Sequence, residues 1–218
     1  MDTSKRPAGR VEEGSNMRTV HLIHGFNEGH KLQRPKIARL KPLLEARGLR
    51  VRVHDYGKWD LVATRNNENI ARLIYPYVND GDTLIGFSNG AAVIAHLENF
   101  GVRAKRVILI QPALSKRWVP NHYAKHVVVF WNKGDDVTVA GKWWRRVTGM
   151  LPWRWQDKHN WGEMGDTGYT GQDTRFIQYQ TDAYASDENQ QKLPKVSGHG
   201  DWQDPENIAW WQIIVNHA

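Results

Sequence analysis

Short apolar runs alternate along this chain with stretches of helical period. The apolar runs are rich in β-branched residues, which is typical of buried strands. They occupy residues 19–23, 51–54, 83–85, 106–110, 126–131 and 176–180. Strands that alternate with helices predict βαβ units with helices on both sheet faces. We therefore expect an α/β fold built on a mainly parallel, doubly wound sheet of about six strands.

Two of the intervening stretches show the helical period clearly. Residues 35–47 and 66–78 each repeat apolar side chains at spacings of three and four, and Gly48 follows the first stretch. We expect a helix at each stretch, with its apolar face toward the sheet. The inward side chains are predicted to be Ile37, Leu40, Leu43 and Leu44 in the first helix and Ile70, Leu73, Ile74 and Tyr77 in the second.

A serine flanked by glycines follows the third strand. The segment 86–90 reads Gly-Phe-Ser-Asn-Gly, and the small-residue run 91–95 continues it as a predicted helix. A sharp strand-to-helix turn with an exposed serine needs small residues two positions away, because side chains there would collide. This context favours Ser88 as a nucleophile over the alternative, in which Ser88 only caps the helix.

Two aspartates follow the strand at 126–131. In parallel sheets functional side chains gather at the carboxyl ends of strands, so Asp135 and Asp136 are candidates for the acid of a catalytic triad. We prefer Asp135, whose carboxylate we expect to point toward the sheet edge. A solvated turn is the alternative explanation for this Gly-Asp sequence.

His199 is the preferred candidate for the general base. It lies in the segment Ser-Gly-His-Gly-Asp after the last predicted strand, and Asp204 and Pro205 indicate the start of a helix soon after it. A loop at this place can bring an imidazole over the sheet edge toward Ser88. His159, in the tryptophan-rich segment, is the second choice, and His96 is expected to pack within the helix that follows Ser88.

A His-Gly turn ends the first strand. His24 and Gly25 are expected to let the backbone approach a bound substrate closely, so both are substrate-binding candidates. The backbone N–H groups of Phe26 and Asn89 are then the predicted donors of an oxyanion hole.

Together these motifs resemble the α/β-hydrolase superfamily of serine hydrolases, with an esterase- or lipase-like character and no identified subfamily. The resemblance covers roughly residues 19–217 and rests on the His-Gly turn, the serine turn, the aspartate turn and the histidine loop. It implies a triad of Ser88, His199 and Asp135 and a covalent acyl-enzyme intermediate. It implies neither a metal nor an organic cofactor.

Composition bounds the remaining possibilities. A chain of 218 residues fits one domain, which we place at 17–218, after a polar and disordered tail at 1–16. Cysteine is absent, so disulfide scaffolds and cysteine-based metal sites or nucleophiles are excluded. No signal-peptide-like or membrane-spanning apolar stretch is visible, and we expect a cytoplasmic protein.

Residues 140–174 interrupt the strand–helix alternation and are rich in tryptophan, glycine and arginine. We expect this insertion to form a cap or lid, whose aromatic side chains, Trp161 among them, line a substrate pocket. Its basic and aromatic character also suits an anionic membrane surface or a nucleic acid, and it suits a simple cover of the core equally well.

The sequence therefore predicts a serine hydrolase of carboxylic esters, acting on a small-molecule or lipid-like ester. The alternative is a non-catalytic protein of the same fold that binds nucleic acid or membrane through its basic tryptophan-rich surface. The net charge of +7 suggests anionic partners without naming one. Cleavage of an amide or a thioester would use the same residues, so the type of bond cleaved stays open, as do the natural acyl group and the oligomeric state.

Overall fold

Six parallel strands form one sheet. The computed structural model describes residues 18–25, 35–56, 67–135, 162–183, 193–196 and 198–218. The strand order is β2-β1-β3-β4-β5-β6, and every neighbouring pair is parallel. The strands are β1 Thr19–Ile23, β2 Arg50–His54, β3 Thr83–Phe87, β4 Arg106–Ile110, β5 His126–Trp131 and β6 Phe176–Gln180. The predicted α/β fold with a parallel six-stranded sheet is confirmed.

Helices cover both faces of this sheet. The α-helices are α1 Lys41–Glu45, α2 Asn67–Ile74, α3 Gly90–Asn99, α4 Met164–Thr167 and α5 Ile208–His217. Short 3₁₀ turns adjoin them at Lys36–Leu40, Tyr75–Tyr77, Asp201–Gln203 and Pro205–Asn207. No helix within these described ranges is both long and apolar enough to cross a membrane.

Successive residues of the central strands enter two different cores. Leu84 of β3 belongs to the cluster that contains α2 and α3, whereas Ile85 belongs to the cluster with α1 and α5. Both side chains are fully buried. Because alternate side chains point to opposite faces, a strand covered on both faces reads as a continuous apolar run. This burial holds the carboxyl ends of β3, β4 and β5 side by side.

The predicted helix over 35–47 is divided in two. A 3₁₀ turn at Lys36–Leu40 precedes α1, which has Pro42 in its first turn. Proline is favoured in the first turn of a helix but cannot donate a hydrogen bond further along it, so α1 begins next to Pro42.

Two side chains predicted to point inward in the second helix are exposed instead. Leu73 is 64% exposed and Tyr77 is 51% exposed. The buried stripe of α2 runs through Ile70, Ala71 and Ile74, and at 100° per residue Leu73 lies about 110° from its centre. Tyr77 follows the end of α2, and the Arg52 guanidinium lies over its ring at 4.2 Å.

Asp204 was expected to cap the last helix. It precedes the 3₁₀ turn Pro205–Asn207 instead, makes no side-chain cap hydrogen bond there, and α5 begins only at Ile208. Pro205 begins this turn because its fixed φ suits a helical first residue.

The predicted tail at 1–16 and most of the predicted cap, 140–161, lie outside the described residues. The rest of the predicted cap packs on the sheet body. The Met164 N–H donates to the Leu114 carbonyl, and the Asn132 N–H donates to the Gly165 carbonyl. Residues 162–174 therefore border the end of β5.

Candidate active site

Ser88 lies at a strained turn directly after β3. Its φ of 51° is in the left-handed region, which non-glycine residues adopt at a cost of roughly 1–3 kcal/mol. The turn is held from β4, because the Ser88 N–H donates to the Ile110 carbonyl at 2.9 Å and the Ser88 carbonyl accepts from the Ala113 N–H at 3.1 Å. Two contacts on neighbouring backbone thus fix the position of the serine.

The two glycines of the turn allow α3 to pack closely against the sheet. A Cβ atom on Gly90 would collide with the Ile23 carbonyl oxygen and would lie 2.7 Å from that of His24. A Cβ atom on Gly86 would lie 2.7 Å from Cδ1 of Ile94 and 3.0 Å from the Ala91 nitrogen. Glycine is therefore required on both sides of Ser88 by close approach rather than by a positive φ.

His199 joins Ser88 to Asp135. Its Nε2 lies 2.9 Å from Ser88 Oγ, and its Nδ1 lies 2.8 Å from Oδ2 of Asp135. Asp135 follows β5 and its side chain is fully buried, whereas 11% of the His199 side chain is exposed. The structure thus brings together Ser88, His199 and Asp135, the three side chains that the sequence predicts for a triad.

Hydrogen-bond chemistry defines the protons of this arrangement. A carboxylate only accepts, so a neutral His199 carries its proton on Nδ1 and donates it to Asp135. Nε2 then accepts the hydroxyl proton of Ser88. An imidazole in this tautomer can remove the serine proton, and the buried carboxylate stabilises the cation that results.

Asn89 is both the residue after the serine and the residue before α3. Its side chain does not cap the helix but exchanges hydrogen bonds with Asn67, at 3.1 Å and 2.7 Å. Within the described residues its backbone N–H has no acceptor. A free N–H at the beginning of a helix suits an oxyanion. Phe26, the other predicted donor, lies outside the described residues.

His24 is fully buried and is held by backbone on both sides of its ring. Nδ1 donates to the Gly25 carbonyl at 2.7 Å, and Nε2 accepts from the Tyr56 N–H at 3.3 Å. The Tyr56 ring stacks on the imidazole, and its hydroxyl donates to the His24 carbonyl. Burial lowers the pKa of His24, against the smaller opposing effects of the Gly25 carbonyl and Asp55.

These contacts give His24 a structural role, and its predicted contact with substrate stays a prediction. Gly25 lies against the serine turn, since a Cβ atom on it would lie 3.0 Å from Cδ1 of Phe87 and from Cβ of Ser88. Gly25 therefore lies directly beside Ser88, and its contact with a substrate stays a prediction.

Three further residues contact the site without having been predicted from the sequence pattern: Asn67, Tyr56 and Gln111. Gln111 directly follows β4, so the rule that locates functional residues at carboxyl ends of strands could have found it. Asn67 begins a helix that is distant in sequence from the serine turn, and no local pattern indicates its pairing with Asn89.

The remaining candidates fall on parts of the chain for which no structure is described. These are Trp161, the alternative acid Asp136 and the alternative base His159. His96 lies buried within α3. Over the ranges that are described, no three or more histidine and carboxylate side chains are grouped to hold a metal ion.

Several solved structures are similar to this one at low sequence identity. A predicted CIB-like hydrolase from Thermoplasma acidophilum superposes with a TM-score of 0.50 at 14% identity, over 93% of this chain and 86% of that one. An extracellular alpha/beta-hydrolase from a Paenibacillus species gives 0.48 at 13% identity, over 92% and 99%. A monoacylglycerol lipase from Paleococcus ferrophilus gives 0.45 at 14% identity, over 92% and 95%.

The similarity to the Thermoplasma acidophilum hydrolase supports the α/β fold with a parallel sheet, in line with the resemblance of the sequence motifs to the α/β-hydrolase superfamily, and no subfamily is resolved. No protein-family model matches the sequence, and no curated protein matches it. Identities of this size establish the fold alone, so the chemistry has to be argued from the site itself.

Proposed function

We propose that this protein is a serine hydrolase that cleaves carboxylic esters through an acyl-enzyme intermediate. One observation carries the proposal: a single imidazole is within hydrogen-bond distance of both a serine hydroxyl and a buried carboxylate. An imidazole paired with a buried carboxylate could be a purely structural ion pair. Here the imidazole also contacts Ser88, whose strained backbone is of the kind found at functional sites, and this supports a catalytic role over a structural one.

The proposed reaction has two halves. Ser88 Oγ attacks the ester carbonyl while His199 Nε2 takes the hydroxyl proton, and Asp135 stabilises the imidazolium. His199 then gives this proton to the leaving alkoxide, which departs as the alcohol. In the second half a water molecule loses its proton to His199 and attacks the acyl-enzyme, and the carboxylic acid leaves as Ser88 regains its proton.

The tetrahedral intermediates of both halves carry a negative charge on the former carbonyl oxygen. The N–H of Asn89 is the proposed donor from the serine turn, and Phe26 is the proposed second donor. The reciprocal amide contacts of Asn67 support this role for Asn89, because they restrain the peptide that would donate. Gly25, beside the serine, and Trp161 are proposed to contact the substrate.

The alternative function, binding of nucleic acid or membrane without catalysis, depends on the tryptophan-rich segment. Most of that segment lies outside the described residues, so no observation favours this alternative. The monoacylglycerol lipase noted above agrees in kind with an ester substrate, but it does not define one for this chain.

A fluorophosphonate probe followed by mass spectrometry tests the proposal. We expect an adduct on Ser88 and hydrolysis of p-nitrophenyl acetate or butyrate. Ser88→Ala should lose both, whereas Ser115→Ala, a serine outside the contacts of His199, should retain both. Turnover that persists in Ser88→Ala, or an unlabelled and inactive wild-type protein, would contradict the proposal.

A further inference from the structure

Gln111 holds the backbone on both sides of His199. Its Nε2 donates to the Gly198 carbonyl at 2.8 Å, and its Oε1 accepts from the Gly200 N–H at 2.7 Å. The Gln111 side chain is almost completely buried. A buried amide with both ends bonded to one short loop restrains that loop in position and orientation, because neither bond can be exchanged with water.

The backbone of Gln111 is itself strained. Its φ is 43°, and Ser88 is the other non-glycine residue with a positive φ in the described ranges. Its N–H donates to the Phe130 carbonyl of β5 at 2.7 Å. Such a conformation costs roughly 1–3 kcal/mol and persists only where surrounding contacts impose it. Gln111 is the first residue after β4, and in this conformation its side-chain amide contacts the backbone of Gly198 and Gly200.

The residues that surround Gln111 in sequence hold the nucleophile. Ile110 accepts from the Ser88 N–H, and Ala113 donates to the Ser88 carbonyl. A single segment, 110–113, thus contacts the backbone of the serine turn and, through the Gln111 side chain, the backbone of the histidine loop. The two backbone segments that carry Ser88 and His199 therefore contact the same short stretch of chain.

Other contacts to the histidine loop are weaker or differ in kind. Nδ2 of Asn132 reaches the Gly198 carbonyl at 3.3 Å, which is a longer bond than that of Gln111. Oδ2 of Asp201 accepts from the Gly198 N–H, within the loop itself. Neither side chain contacts both Gly198 and Gly200, as Gln111 does.

We propose that Gln111 is a positioning residue, which sets the distance between His199 and Ser88 by holding the Gly198 carbonyl and the Gly200 N–H. This inference rests on the proposed function for its catalytic consequence. A displacement of about 1 Å between reacting groups lowers turnover about 10²-fold, so loss of the Gln111 contacts should lower kcat far more than it changes KM.

Gln111→Met tests the inference, since it retains length and burial and removes both hydrogen bonds. Gln178→Met is the control for the loss of two such bonds, because Gln178, although exposed, likewise accepts one backbone N–H and donates to one backbone carbonyl, both of Tyr169, at 2.7 Å and 2.9 Å, away from the histidine loop. Gln111→Asn adds a second test, because it keeps an amide and tolerates a positive φ but is too short to span the loop.

We expect kcat for p-nitrophenyl butyrate to fall about 10²-fold in Gln111→Met and Gln111→Asn, with KM within about threefold of wild type. Gln178→Met should retain kcat even if its thermal midpoint falls as far. Wild-type kcat in both Gln111 variants, or an equal loss in Gln178→Met, would overturn the inference.

A second measurement does not depend on turnover. The Nδ1 proton of His199, bonded to Asp135, should give a downfield NMR resonance that His199→Gln lacks. We expect Gln111→Met to broaden or shift this resonance and Gln178→Met to leave it unchanged. If the wild-type protein proves inactive, the proposed function fails, and the resonance still decides the positioning: an unchanged signal in Gln111→Met would refute it.

Discussion

Asn67 and Asn89 exchange two side-chain hydrogen bonds across the gap between α2 and the serine turn. Asn67 Nδ2 donates to Asn89 Oδ1 at 3.1 Å, and Asn89 Nδ2 donates to Asn67 Oδ1 at 2.7 Å. Both residues are buried. Because each amide satisfies one donor and one acceptor of the other, the pair restrains the peptide that follows Ser88 without an unpaired polar atom between them.

Breaking this pair should affect both stability and catalysis. Asn67→Leu leaves the Asn89 amide buried without its partner, which costs about 1–3 kcal/mol of unfolding free energy. We also expect slower labelling of Ser88 by a fluorophosphonate, because the Asn89 N–H, the proposed oxyanion donor, is less restrained. Urea unfolding and the labelling rate measure the two effects. A variant that is destabilised but labelled at the wild-type rate would restrict Asn67 to a structural role.

The proposed role of Asp135 as the triad acid can be tested with two neighbouring variants. Asp135→Asn removes the carboxylate that accepts from His199 Nδ1, and we expect kcat to fall by a factor on the order of 10³–10⁴. Asp136→Asn removes a carboxylate charge from the next residue in the chain and should retain most of the activity. The reverse order in p-nitrophenyl ester assays would assign the acid to Asp136.

Gly90 tests the close approach of α3 to β1. A Cβ atom there meets two backbone carbonyl oxygens, which cannot move without displacing the strand end, so we expect Gly90→Ala to cost about 2–3 kcal/mol. Gly101→Ala is the comparison, since Gly101 has a φ of 90° but open space around it, and strain alone costs about 1–2 kcal/mol. Equal destabilisation in thermal unfolding would contradict the steric explanation.

Acid should destabilise the fold through His54. Burial, together with the nearby charges of His21, Arg52 and His24, lowers its pKa to about 3. The unfolded chain binds this proton near pH 6.5, so stability falls as the pH decreases from 6.5 toward 3. The loss should be about 2 kcal/mol by pH 5.

A non-titrating substitution isolates the contribution of His54. His54 Nε2 lies 2.8 Å from Nδ1 of His21, whose Nε2 donates to Asp82. His54→Gln keeps a donor near His21 and should flatten the acid side of the stability profile in urea titrations between pH 4 and 7. An unchanged slope would show that other groups dominate the acid response.

Glu98 should act in the opposite direction. Burial raises the pKa of this carboxyl to about 7, although the Asn121 N–H and Arg175 favour the charged form. The unfolded chain loses this proton near pH 4.5, so stability falls as the pH rises from 4.5 through 7. Glu98→Gln should therefore gain stability relative to wild type over this range, by a difference on the order of 3 kcal/mol. A pH-independent difference would contradict the raised pKa.

Most strands could be predicted from the sequence, because each is marked by a pattern of neighbouring residues. An apolar run or a helical period is formed by residues that are close in sequence, so it can be recognised without the tertiary structure. The bounds of β1, β4, β5 and β6 accordingly agree with the predicted runs. The prediction of the buried face of α2 was wrong for two reasons. Exposed leucines are common on protein surfaces, and the small side chain of Ala71, which is buried, adds little to an apolar pattern. Leu73 was therefore assigned to the wrong face.

The serine turn, the aspartate turn and the histidine loop were likewise visible as separate local motifs. Their catalytic roles stay predictions, but their proximity is a property of the tertiary structure. His199 is 64 residues from Asp135 and 111 from Ser88 in the chain. Only the order of the strands in the sheet brings such distant segments to one edge.

Periodicity and turn sterics act over a few neighbouring residues. The sequence alone was therefore enough to predict the alternation of strands and helices and the turns that follow β1, β3 and β5. The tertiary structure decided that Asn67 restrains Asn89 and that Gln111 holds the loop of His199. Those contacts join segments whose spacing along the chain carries no periodic signal, and they depend on how the completed sheet and its helices pack.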